Sequence, residues 1–301
     1  SKININNSDL YVTLEPCSHH GKTPSCVKSI IRNKIKKVFF SINDPDQRSF
    51  NKSLSQFRKR GISVNKGIDS HKISSFYRSY LKSKESILPF VTCKLAISKD
   101  FFTINKNNKW ITNKFSRGRV HLIRSNHDCI MTSSKTIIND NPRLTCRIDG
   151  LKNRSPSRII LDNKLKISLS SRIIKEATYY RTIIFYNKFN KKKINQLKNL
   201  NIKLFKLPVD VANNLDLREV LIKAKELGFY RILLESGMKL TSNFLYKNLV
   251  DDFNLFISNK NLGNNGESNI KKHLKILLKN KKSINEKVNL LGDKLITYRI
   301  K

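Results

Sequence analysis

Short apolar runs alternate with amphipathic segments along the whole chain, and this alternation decides the class of fold. In the first third, "DLYVTL" (9–14), "KVFFSI" (37–42) and "ISVNKG" (62–67) read as strands. Between and after them, "PSCVKSIIRNK" (24–34), "NKSLSQFRKRG" (51–61, closed by Gly61) and "SHKISSFYRSYLKS" (70–83) read as helices. Strands that alternate with helices predict a mostly parallel sheet with helical cover. The polar stretch "KSKESILP", ending at Pro89, predicts a boundary near residue 86, and so domains over 1–86 and 87–301. The remainder starts again on a strand, "FVTCKLAIS" (90–98), and continues the same alternation. It closes on the strand-like "DFNLFIS" and "KLITYRI", some of which must run antiparallel. Within it, "NKFSRGRVHLIRS" (113–125) reads as a helix anchored by Phe115, Leu122 and Ile123.

Charge narrows the function less than its size suggests. Sixty Lys and Arg against 22 Asp and Glu give a formal charge of +38 over 301 residues. The lysines are spread along the chain, and Lys, Asn, Ile and Ser are abundant while Ala occurs only at 96, 177, 212 and 224. That pattern is the bias of an AT-rich genome. The dense runs "NKKKINQLKN" and "KKHLKILLKNKKS" read as solvated helix faces. The expectation is no nucleic-acid partner, with some steering of anionic, phosphorylated ligands. A basic nucleic-acid-binding protein, recognisable by a steep salt dependence, stands as the rival reading. No run of 18 apolar residues occurs, so no membrane partner is expected. "SKININNSDL" lacks the apolar core of a signal peptide, and a cytoplasmic location is expected.

Five cysteines, an odd number in a long chain, do not form a secreted disulfide framework. Cys93, Cys129 and Cys146 lie in or beside apolar runs and read as buried thiols. Cys17 and Cys26 differ, because they share one motif, "LYVTLEPCSHHGKTPSC" (10–26). Two thiolates supply half of a tetrahedral zinc site. Zinc deaminases add a third ligand and a proton-shuttling Glu from a His-x-Glu step. None of the six histidines here (19, 20, 71, 121, 127 and 273) has Glu two positions later.

This motif resembles the deaminase domain of the bifunctional riboflavin-biosynthesis deaminase/reductase family, whose long Cys–Cys spacing encloses a Gly-Lys-Thr-Pro segment. "NDPD" (43–46) resembles the family's Asp-Pro-Asn-Pro turn, with Asp46 where Asn is usual. The segments "KLAISKD", "KWIT", "VHLIRS", "TSSKTIINDNPRLTCR", "RIILDN", "LLESG" and "VDDFNLFISNKNLG" match the family's reductase domain in the same order. The resemblance implies an α/β chain: a truncated cytidine-deaminase-like domain, then a dihydrofolate-reductase-like domain. It also implies a fragment of the parent, likeness to a homodimer or higher homo-oligomer, and two cofactors, NADPH and zinc.

The implied reaction is NADPH-dependent reduction of 5-amino-6-(5-phosphoribosylamino)uracil to its ribitylamino product. The intact parent also deaminates 2,5-diamino-6-(5-phosphoribosylamino)pyrimidin-4-one. The resemblance assigns zinc to Cys17 and Cys26 and the deaminase substrate's phosphate to Lys22. It assigns the reductase cofactor to Ala96, Trp110, Thr136, Asp140, Asn163 and the segment Gly237, Met238, Lys239, Leu240, Thr241, Ser242 and Asn243. It assigns the reductase substrate to Asn108, Arg124, Leu144, Arg147 and Glu235, with Lys94 and Glu235 catalytic. These residue types suit the task, since Arg offers phosphate a bidentate fork and a helix start after Gly237 offers free N–H groups. Asp100-Phe101 stands where the family has Asp-Gly, so a different backbone path is expected there. That departure leaves a reductase-dead relative as an alternative.

Overall fold

The computed structural model describes residues 4–301 and divides the chain into two compact units between Ile87 and Leu88. In the first unit β1 (Asp9–Leu14), α1 (Cys26–Arg32), β2 (Lys37–Ile42), α2 (Lys52–Arg58), β3 (Ser63–Lys66) and α3 (Ser70–Glu85) follow the expected alternation. The strands form a parallel sheet in the order β1-β2-β3, with Tyr11 opposite Phe39 and Val38 opposite Val64. Val27 and Ile30 of α1 pack with Val38, Phe57 and Ile62 in its core. The Ser25 hydroxyl starts α1 by accepting the Lys28 N–H at 3.3 Å, as an N-cap does. Buried Glu15, one residue past β1, accepts the N–H groups of Asp44, Asn51 and Ser53 and the Ser53 hydroxyl. It thereby pins the "NDPD" turn.

The second unit contains β4 (Phe90–Ile97), β5 (Phe102–Asn105), α4 (Lys114–Ser125), β6 (Cys129–Ser133), α5 (Ser134–Asp140) and β7 (Ser157–Leu161). It continues with α6 (Arg172–Lys175), β8 (Thr182–Tyr186), α7 (Lys191–Asn199), β9 (Lys203–Lys206), α8 (Leu217–Glu226), β10 (Arg231–Glu235) and α9 (Met238–Tyr246). It ends with β11 (Asp252–Ile257), β12 (Gly266–Asn269), α10 (Lys271–Leu277), β13 (Lys282–Asn285) and β14 (Lys294–Arg299). Nine strands form one sheet in the order β13-β14-β11-β4-β10-β6-β7-β8-β9. It is parallel from β11 to β9, and β14 and β13 join antiparallel. Strands buried on both faces need continuous apolar runs, and "RIIL" (158–161) and "TIIFY" (182–186) have that character. One face packs Val91, Cys93, Leu95, Ile232 and Leu234 against Phe244 and Val220, while Leu233, Ile160 and Ile184 face the other side.

Three expectations change. The helix from 113 to 125 is seated by Val120, buried Ser116 and Ile123, whereas Phe115 is 41% exposed. The run "KKHLKILLKNKKS" holds the helix α10, with Leu274 buried, but its last residues enter β13. Phe101 keeps a glycine-like backbone, with φ at +71°, so the expected detour does not occur. The turn is held from outside: the Asp100 carboxylate accepts from Ser98 Oγ at 2.6 Å and from the N–H groups of Leu262 and Gly263. Among the described residues no helix is long and apolar enough to cross a membrane.

Candidate active site

Strand order reverses around β4: the chain runs outward one way through β6, β7, β8 and β9, and the other way through β11 and β14. In open α/β sheets ligands bind at the carboxyl ends of the strands at such a switch point. Lys94 and Glu235 lie there, directly opposite each other in the parallel pair of β4 and β10. Alternation along β4 sends Cys93 and Leu95 into one core and leaves Lys94 and Ala96 on the opposite face. There α4 packs, through Val120 and Ile123 against Ala96 and Phe256.

That seating brings Arg124 to Glu235. The guanidinium donates to both carboxylate oxygens, Nε to Oε1 at 2.7 Å and Nη2 to Oε2 at 2.9 Å, and the pair is nearly buried at 12% and 9% side-chain exposure. Burial pushes the Glu235 carboxyl up, but Arg124, then Lys94 and His121, outweigh it and hold it at about 2. Burial lowers Lys94, with Glu235 opposing and Arg124 adding to the effect, so its ammonium is more acidic than an exposed lysine. Arg124 Nη1 also donates to the Thr145 carbonyl at 3.1 Å. Its fork is therefore engaged on the protein itself, rather than left open as a phosphate clamp.

The segment after α5 forms the far wall. Asn141 and Leu144 take positive φ (43° and 55°), and Leu144 is buried. Its path is fixed beneath by Arg158, fully buried, whose guanidinium donates to the carbonyls of Arg143, Ile173, Glu176 and Tyr180 and to Thr182 Oγ1. Arg147 is exposed and makes a weak 3.3 Å contact to Thr145 Oγ1. Burial and then the like charges of Arg124 and Arg143 lower its pKa. His121, three residues before Arg124 on the same helix face, joins this group. Its Nδ1 is 2.9 Å from the Thr145 carbonyl and 3.3 Å from the Arg147 N–H. Sequence reading passed it over, although the i, i+3 spacing from Arg124 was a usable signal.

On the other side of Glu235 the chain turns through Ser236 and Gly237 into α9. Gly237 has an ordinary φ of −66°, no side chain caps the helix, and a Cβ built there would meet nothing within 4 Å. The turns after β6 and β10 are tied by three hydroxyls in a ring: Ser133 to Thr136 at 3.1 Å, Thr136 to Ser236 at 3.2 Å, Ser236 to Ser133 at 3.1 Å. Of the expected cofactor segment, Gly237 and Lys239 are exposed, Asn243 is part-buried, and Met238 and Leu240 pack against the core. Thr241 and Ser242 are buried, and Thr241 meets Cys93.

The other expected residues are scattered around this region. Trp110 is half exposed with the Arg117 guanidinium stacked 4.8 Å from its ring. Lys109 Nζ donates to the Asp140 carbonyl, and burial raises the Asp140 carboxyl. Asn108 Oδ1 accepts the Trp110 N–H in a local turn, and Asn163 donates to the Asn213 carbonyl.

In the first unit, Cys17 and Cys26 are adjacent, with the Cys26 N–H 3.4 Å from Cys17 Sγ. Burial and then the neighbouring Cys17 raise the Cys26 thiol. Lys22 is exposed. Among the described residues no group of three His, Cys, Asp or Glu side chains could hold a metal. Asp46, in place of the usual Asn, is paired with Arg48 at 2.7 Å and Lys84 at 2.9 Å.

Residues 89–289 match the family model of the RibD C-terminal domain. The chain belongs to the RibD family. The RibD "Riboflavin biosynthesis protein" of Chlamydia muridarum is 30% identical over 295 residues, covering 96% of this chain and 78% of its own. A Thermotoga maritima RibD-type protein, solved as a diaminohydroxyphosphoribosylaminopyrimidine deaminase/5-amino-6-(5-phosphoribosylamino)uracil reductase, superposes with a TM-score of 0.80. It is 28% identical and covers 99% of this chain and 80% of its own. A yeast riboflavin biosynthesis reductase, Rib7, shares the fold at a TM-score of 0.55 and 19% identity, over 76% of this chain and 99% of its own. RibD membership accounts for the α/β architecture of the second unit.

Proposed function

We propose that the second unit reduces 5-amino-6-(5-phosphoribosylamino)uracil with NADPH, as the name of the Thermotoga relative states for that protein. The observation that carries the reading is the buried Lys94–Glu235–Arg124 cluster at the strand switch point, beside the uncapped start of α9. NADPH supplies a hydride. The open space at Gly237 and the free N–H groups of the α9 start fit a phosphate of such a cofactor, with Thr136, Trp110, Asp140, Asn163 and Ala96 assigned around it.

The chain's own residues do the rest. Hydride arrival at the sugar C1′ breaks the C1′–O4′ bond, and O4′ then needs a proton. Lys94 carries one on Nζ, and burial makes it a better acid. Glu235, kept ionised by Arg124, lies opposite Lys94 in the strand pair, where its charge favours the ammonium, and would accept from sugar hydroxyls. Arg147, with no carboxylate partner of its own, takes the substrate phosphate, with Leu144 and Asn108 lining the substrate. Cys17 and Cys26 would supply two of the ligands of a deaminase zinc.

The test is NADPH absorbance in the presence of the phosphoribosylamino substrate. Wild type should oxidise NADPH, and Lys94→Met should lose kcat while still binding NADPH. Oxidation by Lys94→Met at the wild-type rate would remove Lys94 from the chemistry.

A further inference from the structure

His121 is a part-buried imidazole ringed by cations. On its own helix stands Arg124, and from the loop after α5 comes Arg147, whose N–H lies 3.3 Å from His121 Nδ1. From β10 comes Glu235, already engaged by Arg124 at both oxygens. Arg143 adds a further positive charge near Arg147, opposed there by Glu176, with which Arg143 pairs at 2.8 Å. The shorter contact, 2.9 Å to the Thr145 carbonyl, requires a hydrogen on Nδ1, which leaves the lone pair on Nε2. The same carbonyl accepts from Arg124, so the imidazole, Arg124 and the backbone leading to Arg147 form one rigid unit.

We infer that His121 is a second cationic partner of the substrate phosphate beside Arg147, taking a proton on Nε2 as the phosphate settles there. This rests on the reductase reading above. In the free protein, burial, then Arg124 and Arg147, hold the ring at about 4, so it is neutral near pH 7. A dianion among those groups reverses the sign of the local field and favours the imidazolium. The proton comes from solvent and no covalent bond changes. The free site avoids a further uncompensated cation beside Arg147, and the occupied site gains one.

Sulfate is the probe, because it is a tetrahedral dianion that does not titrate near neutrality, so any proton taken up belongs to the protein. The ring resonance of His121, assigned by its loss in His121→Gln, is followed in the full chain at about pH 6.5, the ordinary histidine pKa. It should be neutral without sulfate and charged with it. Sulfate affinity of the wild type should rise by up to about tenfold per pH unit as the pH is lowered through this range. That of His121→Gln should stay flat. A ring that stays neutral in saturating sulfate, a ring charged before sulfate is added, or a protein that does not bind sulfate overturns the inference. Substrate-dependent NADPH oxidation is measured alongside. If it persists while His121 stays neutral, only the role of His121 falls. If it is absent too, the reductase reading falls with it.

Discussion

Two arginines that look alike in sequence have different work. Arg124 is buried against Glu235, and Arg147 is exposed with only a long contact to Thr145. Removing one partner of a buried pair leaves the other charge uncompensated. Arg124→Ala should therefore destabilise the protein by about 3 kcal/mol, read by chemical denaturation. Arg147→Ala should leave stability nearly unchanged and raise the KM of the reductase roughly 10- to 100-fold, the loss of one charge-assisted hydrogen bond of ~1.5–3 kcal/mol. NADPH affinity should not move. Equal KM for Arg147→Ala and wild type would remove the phosphate assignment. Phe101 raises the opposite issue. It holds a left-handed conformation that favours glycine, so Phe101→Gly should leave kcat unchanged. A large gain in kcat would favour an impaired reductase. The residue types of the site were legible because the motifs carry them. Pairings such as Arg124 with Glu235 were not, because they join a helix to a strand 111 positions away.

At the scale of the element, α9 and α4 position the site. Gly237 has a backbone that any residue adopts, and open space in front of it. Gly237→Val should fold normally and weaken NADPH binding by about tenfold or more through blocked close approach, measured by fluorescence titration. Unchanged affinity in the folded variant would move the cofactor elsewhere. For α4, Val120→Ala removes two buried methyl groups and should cost about 2 kcal/mol, whereas Phe115→Ala should cost much less, which a pair of melting curves decides. Long strands were legible as apolar runs. The four-residue β5, β12 and β13 were not, since β13 is exposed throughout and β12 nearly so. The helix α5, seven residues ending at Asp140, is too short to show a helical repeat.

For the whole molecule, several groups make stability fall with acid. His127 is part-buried between the Ile123 carbonyl and Thr92 Oγ1, and burial lowers it to about 4. Its folded pKa is below the unfolded value, so the unfolded chain binds protons first as pH drops below about 6.5. The expected loss from His127 alone is up to about 1.4 kcal/mol per pH unit down to about pH 4. Asp100 and Glu235, both held at about 2, contribute stability above their unfolded values that is lost as the pH falls through about 4 toward 2. Melting temperature should therefore decline in two stages, and a flat profile from pH 7 to 4 would contradict the burial of His127. The mostly parallel pairing was legible from the alternation of strands and helices. The insertion of β10 between β4 and β6 was not, since local patterns do not record which strands become neighbours. That insertion sets Glu235 opposite Lys94, and the whole functional reading depends on it. Its most direct test uses NADPH carrying deuterium at the transferred position. With 5-amino-6-(5-phosphoribosylamino)uracil, the full chain should yield a ribitylamino product bearing one deuterium at C1′, and Lys94→Met should not. A folded chain, saturated with both compounds, that transfers no deuterium would contradict the account.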